Sequence, residues 1–167
     1  METDANKENA LIELKHIQLE MQSGRFKHLR HFVDPYYCYA NDIVRKSGAI
    51  NTDDVLWTTN VSKAARELEE EIGDYTVLRK RIRKEHVVPL RFITKKLSEL
   101  VENGRLGIHD IESCLDTYLK FATITIEEDN RLNNLGLNSK MPEGFYELSD
   151  PLYQDLYARY KLSLIHI

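Results

Sequence analysis

The 167-residue chain has few of the residues that break regular structure or link it covalently. It contains only 7 glycines and 4 prolines, too few turn-forming residues for a fold made of many short strands. Its 2 cysteines, Cys38 and Cys114, cannot form a disulfide framework or a four-thiolate zinc site. These scarcities favour helices, and they favour two free thiols in a reducing compartment.

Long apolar runs and a strong charge of either sign are also missing. No stretch approaches the roughly 18 apolar residues of a membrane-spanning helix, and residues 1–9 are too polar for a signal peptide. The formal net charge of −4 provides no overall field that would attract nucleic acid or an anionic membrane. The sequence therefore predicts a cytoplasmic protein without a membrane span.

Apolar residues recur with a helical period along most of the chain. Ala10, Leu14, Ile17 and Met21 mark one face of a first helix over about residues 5–23. The pattern is helical again over residues 74–102, where Pro89 predicts a kink or a helix boundary. A further helix is expected to begin near residue 108, and helices should therefore form most of the structure.

One short segment has the alternation of a strand. Thr123-Ile124-Thr125-Ile126 is β-branched throughout, but a lone strand of this length would be unstable without a partner. We therefore expect the preceding helix to continue to about Leu132. Turn-forming residues then predict a loop over residues 133–148, and Ser149-Asp150-Pro151 predicts the start of a last helix. The predicted fold class is all-α, a bundle of five or six helices in a single domain, residues 1–161.

The last six residues are of a different kind. Leu162-Ser163-Leu164-Ile165-His166-Ile167 resembles the translation of the transposase mosaic end used as a sequencing adapter. The resemblance implies that residues 162–167 are a non-native tail, that the native chain continues past Lys161, and that the tail makes few buried contacts. The alternative is a native amphipathic continuation of the last helix.

Basic residues are concentrated in one part of the chain, from Arg79 to Lys96, directly after a cluster of carboxylates. Spread around a helix, such charges are typical of a solvated face. Gathered on one side, they would be the only part of the chain suited to binding nucleic acid through its phosphates. The run lacks the interleaved aromatic residues on which single-stranded bases stack.

Within this run, the segment Arg81-Ile82-Arg83-Lys84-Glu85-His86 has an arginine and a histidine with four residues between them. The motif resembles that of the HEPN ribonucleases, which are all-helical domains. The resemblance implies metal-independent cleavage of a phosphodiester, with His86 in general acid–base catalysis and Arg81 holding phosphate charge. Arg83 stands where the family usually has a polar residue. On a straight helix Arg81 and His86 would not converge, so a bend or a two-fold dimer would be required.

Three pairs of residues have a helical spacing that metal ligands use: Glu13 with His16, His28 with His31, and His109 with Glu112. The first pair has the Glu-x-x-His spacing of helical di-iron proteins, but such sites need two of these motifs. None of the pairs has a third ligand that the sequence identifies. The sequence therefore predicts neither a metal nor a cofactor.

A second resemblance covers the C-terminal half. Leu-Ser-Glu-Leu-Val-Glu-Asn-Gly-Arg-Leu at residues 97–106, Asn130-Arg131 and Gly144-Phe145-Tyr146-Glu147-Leu148 are similar to a family of uncharacterised bacterial helical domains. Those domains often follow a membrane helix, which this sequence lacks. The resemblance implies a helical fold and no activity.

Amphipathic helices and 9 tyrosines are present, but no catalytic constellation is. We therefore expect a non-catalytic helical interaction or regulatory module of bacterial, phage or plasmid origin, with a protein partner or a homo-oligomer. The alternative is a HEPN-like ribonuclease that uses Arg81 and His86.

Overall fold

The computed structural model describes residues 2–167, with side chains from residue 4 onward. The chain divides into two compact units. Unit 1 comprises the residues up to Val55 together with Ile93–Leu119, and unit 2 comprises Leu56–Phe92 and Lys120–Ile167. Within residues 2–167 there are eight α-helices and three β-strands. The prediction of a mainly helical protein is confirmed, but the all-α class and the count of five or six helices are wrong.

The elements are α1 (Glu2–Gln22), α2 (Arg30–Ala40), β1 (Asn60–Val61), α3 (Lys63–Ile72), α4 (Tyr75–Leu78), β2 (Ile82–His86), α5 (Leu90–Glu102), α6 (Ile108–Tyr118), β3 (Phe121–Thr125), α7 (Ile126–Asn134) and α8 (Ala158–Leu162). Short 3₁₀ turns lie at Phe26–His28, Thr52–Val55 and Glu143–Tyr146. Over residues 2–167, none of the helices has the length and apolar character that crossing a membrane requires.

Unit 1 is built from packed helices. α1 contacts both α2 and α6, and the apolar face that the sequence predicts is the buried one. Its four residues are Ala10, Leu14, Ile17 and Met21. Tyr36 on α2 donates a 3.0 Å hydrogen bond to Asp116 on α6, and Gln18 on α1 donates one of 2.6 Å to the Leu106 carbonyl. Polar contacts thus supplement the apolar packing of this unit.

Unit 2 is organised around a three-stranded sheet in the order β1-β3-β2. The central strand, β3, is parallel to β1 and antiparallel to β2, and its five residues are all buried. In the register with β2, Thr125 pairs with Ile82 and Phe121 pairs with His86. The predicted helix is therefore wrong for Thr123–Thr125, because residues 82–86 supply the partner strand that stabilises this segment, whereas residues from Ile126 onward are helical as expected.

The helix boundaries follow local chemistry more closely than the strands do. α5 begins at Leu90, directly after Pro89, which confirms the predicted boundary. α3 is capped by the Ser62 side chain and ends at Gly73, whose φ of 64° is the left-handed exit that glycine favours. The predicted last helix is shorter than expected, since residues 151–157 form turns and only Ala158–Leu162 is helical.

The core of unit 2 includes residues from the end of the chain. One buried apolar cluster consists of Val87, Ala122, Ile124, Leu132, Leu137, Tyr160 and Ile165. Ser163 is also buried, and Lys63 N donates a 2.7 Å hydrogen bond to the His166 carbonyl. The expectation of few buried contacts in residues 162–167 is wrong for Ser163 and Ile165. The assignment of this tail as non-native stays a prediction.

Candidate functional site

Of the two candidate catalytic residues, His86 belongs to an edge strand and Arg81 to the turn before it, and neither lies in a helix. Arg81 directly precedes β2, and His86 is the last residue of that strand. In the register of β2 with β3, Ile82, next to Arg81, pairs with Thr125 and His86 pairs with Phe121, so the two candidates lie at opposite ends of this ladder. Within one chain, the structure does not bring Arg81 and His86 together.

Each of these two residues has a separate environment. The Arg81 guanidinium is exposed and lies 3.1 Å from the Glu127 carboxylate at the start of α7. The His86 ring packs on Phe121, with 4.6 Å between the ring centroids, and Lys84 Nζ lies 5.3 Å from the centroid of the same Phe121 ring. The contacts pair Arg81 with a surface carboxylate and His86 with a core aromatic ring.

Arginine side chains cover the outer edge of β2. Arg83 donates a 3.0 Å hydrogen bond to the Ile82 carbonyl, and Arg159 donates one to the His86 carbonyl. In an antiparallel ladder alternate residues direct their backbone groups away from the partner strand. Because Ile82 and His86 are such residues here, the arginines protect an edge that could otherwise pair with another chain.

Arg159 is fully buried and completes this arrangement. Its guanidinium donates hydrogen bonds to the Val87 carbonyl at 3.2 Å, to the Leu137 carbonyl at 2.6 Å and to Glu85 Oε1 at 2.9 Å. Burial raises the pKa of Glu85, and the charge of Arg159 partly opposes that rise. This partly buried pair fixes β2 to the C-terminal segment, and a solvent-borne substrate cannot reach Arg159.

The histidine pairs that the sequence singles out lie in unit 1. They are Glu13 with His16, 3.2 Å apart, His28 with His31, whose ring centroids are 6.3 Å apart, and His109 with Glu112, 3.9 Å apart. In the part of the chain that the structure describes, no group of three or more histidine, cysteine or carboxylate side chains is placed to hold a metal ion. Each pair remains a local contact.

The structure also shows one buried carboxylate near these pairs, Glu20, which the sequence does not single out. Glu20 lies 2.6 Å from the Arg25 guanidinium and 3.3 Å from His28 Nδ1. These partners follow the end of α1 at Gln22, so no helical spacing relates them to Glu20. The contact holds the turn after α1 against the helix.

An open groove of about 660 Å³ lies in unit 2, among the turns between α7 and α8. We call it the 135–152 groove. Its apolar lining includes Leu135, Leu137, Met141, Pro142, Tyr146 and Leu152. Leu162, from the segment predicted to be a non-native tail, also contributes to the lining. The volume is in the range of sites that accept a few side chains or a small molecule.

Large apolar side chains are exposed at this groove. Leu135 is 53% exposed, Tyr146 is 57% exposed and Leu162 is 51% exposed, and all three line the groove. Isolated exposed apolar residues are ordinary, but several of them around a concave surface indicate an interaction site. The groove is therefore a candidate functional surface of unit 2.

Buried neighbours hold the exposed Tyr146 ring in place. Phe145 packs edge-to-face on it, with 5.2 Å between centroids and 82° between planes. Phe145 also packs on Phe92 at 5.4 Å and 87°, and both phenylalanines are buried. Edge-to-face aromatic pairs add stability beyond the area they bury. Tyr146 thus presents one side of a fixed ring to solvent.

The turn that carries Tyr146 is tight at Gly144. A Cβ atom at this position would lie 2.5 Å from the Asp150 carboxyl group, closer than non-bonded atoms can approach. Asp150 Oδ1 accepts a 2.7 Å hydrogen bond from Leu152 N, and Gln154 N donates a 3.0 Å bond to the Phe145 carbonyl. The wall of the groove is therefore an ordered turn.

The turn-forming residues of 133–148 predict a loop and indicate no function for it. A further signal lies in the apolar content of that loop, which contains Met141, Phe145, Tyr146 and Leu148. A solvated loop has no need of several large apolar side chains. Such residues either pack under the loop, as Phe145 does, or form a surface, as Tyr146 and Leu148 do.

Comparison of the chain with protein-family models, with curated proteins and with solved structures gives no significant match in any of the three. The two family resemblances stated from the sequence therefore stay predictions. A functional proposal for this chain therefore rests on the geometry of the 135–152 groove.

Proposed function

We propose that this protein is a non-catalytic interaction module that binds a protein partner through the 135–152 groove. The observation that carries the proposal is the state of Tyr146, which is 57% exposed while Phe145 packs against its ring. Binding hot spots are enriched in tyrosine, and a ring that is already fixed loses little conformational entropy on binding. The groove beside it can bury apolar side chains of the partner.

The alternative is the HEPN-like ribonuclease, which would need Arg81 and His86 to converge on one phosphate. Their separation along β2 favours the interaction module, because only a second subunit could supply the missing residue. Contact with nucleic acid through the run from Arg79 to Lys96 stays a prediction, and two of its cations, Arg81 and Lys96, have carboxylate partners. The bacterial, phage or plasmid origin and the cytoplasmic location stay predictions from the sequence.

A phage-displayed random peptide library, selected on the purified protein, tests the interaction module. The affinity of the enriched peptides is then measured for the wild type and for the Tyr146→Ala and Tyr75→Ala variants. Tyr75 is a matched control because it is 58% exposed and does not line the groove. We expect the Tyr146 variant to weaken binding by about thirtyfold, the size of a hot-spot residue, and the Tyr75 variant to leave it unchanged. Equal binding of the peptides to both variants would show that they do not bind at the groove and would contradict the proposal.

A nuclease assay tests the alternative directly. Mixed single-stranded RNA is incubated with the protein in the presence and absence of EDTA, and we expect it to remain intact in both. Cleavage that persists in EDTA and disappears in both Arg81→Ala and His86→Ala, with the circular dichroism spectrum retained, would establish the ribonuclease instead.

A further inference from the structure

The rim of the 135–152 groove has an excess of negative charge. Glu143, Glu147 and Asp150 line it together with a single cation, Lys140, among the residues that the structure describes. Glu143 and Glu147 are exposed, and in the chain they stand on either side of Tyr146. The carboxylates thus accompany the exposed aromatic residue on which the proposed function rests.

The chemistry of the groove restricts what it can bind. Apolar walls require apolar side chains in the occupant, and an acidic rim favours cations at its edges. Nucleic acid has the opposite pattern, since its phosphates would meet the carboxylates. A second copy of this chain is also disfavoured as the occupant, because two copies with a net charge of −4 each repel one another.

We infer that the 135–152 groove takes a peptide segment of a partner protein in which apolar side chains are flanked by lysine or arginine. The inference rests on the proposed function and adds the chemistry of the partner to it. Tyr146 and its apolar neighbours contact the centre of the segment, while Glu143 and Glu147 attract its cationic flanks. Asp150 contributes charge but keeps its hydrogen bond to Leu152 N.

Three synthetic peptides with one shared leucine and phenylalanine centre and with lysine, glutamine or glutamate flanks test this inference by fluorescence anisotropy. We expect the lysine-flanked peptide to bind the full chain most tightly and the glutamate-flanked peptide least tightly. Raising the salt concentration should shrink the difference, because exposed charges are screened. The double variant Glu143→Gln/Glu147→Gln should weaken binding of the lysine-flanked peptide about fourfold or more. Each exposed ion pair contributes roughly twofold to fivefold to the affinity, and the variant removes two of them.

The matched control is Glu69→Gln/Glu70→Gln, which removes two exposed carboxylates of α3 outside the groove lining. It changes the net charge by the same amount and should leave peptide binding unchanged. Equal weakening by the two double variants would show a general charge effect and overturn the inference. Leu135→Ser, at an exposed residue of the groove lining, provides a second apolar variant if Tyr146→Ala alters the circular dichroism spectrum.

The remaining outcomes separate the inference from the proposed function. Equal binding of all three peptides that depends on Tyr146 would overturn the charge preference and leave the interaction module standing. If none of the three peptides binds but the random library yields clones whose binding depends on Tyr146, the charge preference is likewise overturned and the interaction module stands. Failure of both experiments would overturn both proposals. A dimer in sedimentation that Tyr146→Ala dissociates would make a second copy the occupant and also overturn the inference.

Discussion

Ser62 donates a buried hydrogen bond of 2.6 Å to Glu128 Oε2, across 66 positions of sequence. The same carboxylate oxygen accepts a 2.9 Å bond from Thr125 N. The Ser62 hydroxyl in turn accepts a 3.1 Å bond from Ala65 N. Because both helix N-termini favour negative charge, one buried carboxylate stabilises the starts of α3 and α7 together.

The first prediction concerns this carboxylate. Glu128→Ala should lower the free energy of unfolding by about 2–4 kcal/mol, since it leaves the buried Ser62 hydroxyl and Thr125 N–H without their acceptor. Glu127→Ala is the matched control, because the neighbouring Glu127 carboxylate is exposed and lies at the surface, where it pairs with Arg81. It should cost less than about 1 kcal/mol. Urea unfolding followed by circular dichroism measures both, and similar losses would show that the buried network contributes nothing particular.

The second prediction concerns Gly144 and Asp150. Gly144→Ala should lower the free energy of unfolding by about 1–3 kcal/mol, because the added methyl group meets the Asp150 carboxyl group. The double variant Gly144→Ala/Asp150→Ala should lose less than the sum of the two single variants, since the clash is then absent. Additive losses in the same urea measurements would contradict the close approach.

The third prediction concerns the end of the chain. Ile165 is buried in the core of unit 2, whereas its neighbour Leu164 is 69% exposed. Ile165→Ala should therefore cost about 2–4 kcal/mol, and Leu164→Ala should cost less than about 0.5 kcal/mol. Thermal and urea unfolding measure both losses. A negligible effect of Ile165→Ala would show that residues 162–167 do not belong to the folded core, as expected of a non-native tail.

The fourth prediction concerns Cys114 on α6. Burial raises the pKa of this thiol to about 11, so the reactive thiolate is scarce near neutral pH. In a Cys38→Ala background, alkylation by iodoacetamide at about pH 8 should be roughly a hundredfold slower than for an ordinary cysteine with its pKa near 8.5. The rate should still be rising above about pH 10. A rate that levels off near pH 9 would contradict the buried environment.

The first helix and the start of α5 could be predicted because their signal is local. Ala10 and Met21 belong to a periodic apolar face, and Pro89 marks the start of α5 within a few residues of sequence. The sheet has no comparable signal. β3 has the alternation and β-branching of a strand, but its partner β2 reads Ile-Arg-Lys-Glu-His and contains one apolar residue.

A strand of this composition can be recognised only through its pairing. β2 lies at the edge of the sheet, so Arg83 faces solvent, while Glu85 is compensated by Arg159 from 74 positions away. The charges that make residues 82–86 resemble a solvated helix instead protect the edge of the sheet and form a partly buried ion pair. The same error placed Arg81 and His86 on a helix, where a bend could have brought them together.

The 135–152 groove escaped prediction for a related reason. Its residues come from turns whose conformation depends on contacts such as Gly144 with Asp150 and Phe145 with Phe92. Sequence alone indicated a loop there, and most of residues 135–142 are indeed outside helices and strands. Which apolar side chains of a loop are exposed is decided by tertiary packing, so Tyr146 could not be distinguished from Phe145.

A nuclear magnetic resonance titration of the isotopically labelled chain with the lysine-flanked peptide tests the central claim most directly. The account predicts chemical-shift changes concentrated in the backbone amides of residues 135–152, saturating with peptide concentration, and absent in Tyr146→Ala. The Tyr75→Ala variant should reproduce the wild-type changes. Shift changes that centre on α1 and α2 instead, or that persist unchanged in Tyr146→Ala, would contradict the assignment of this groove as the binding surface.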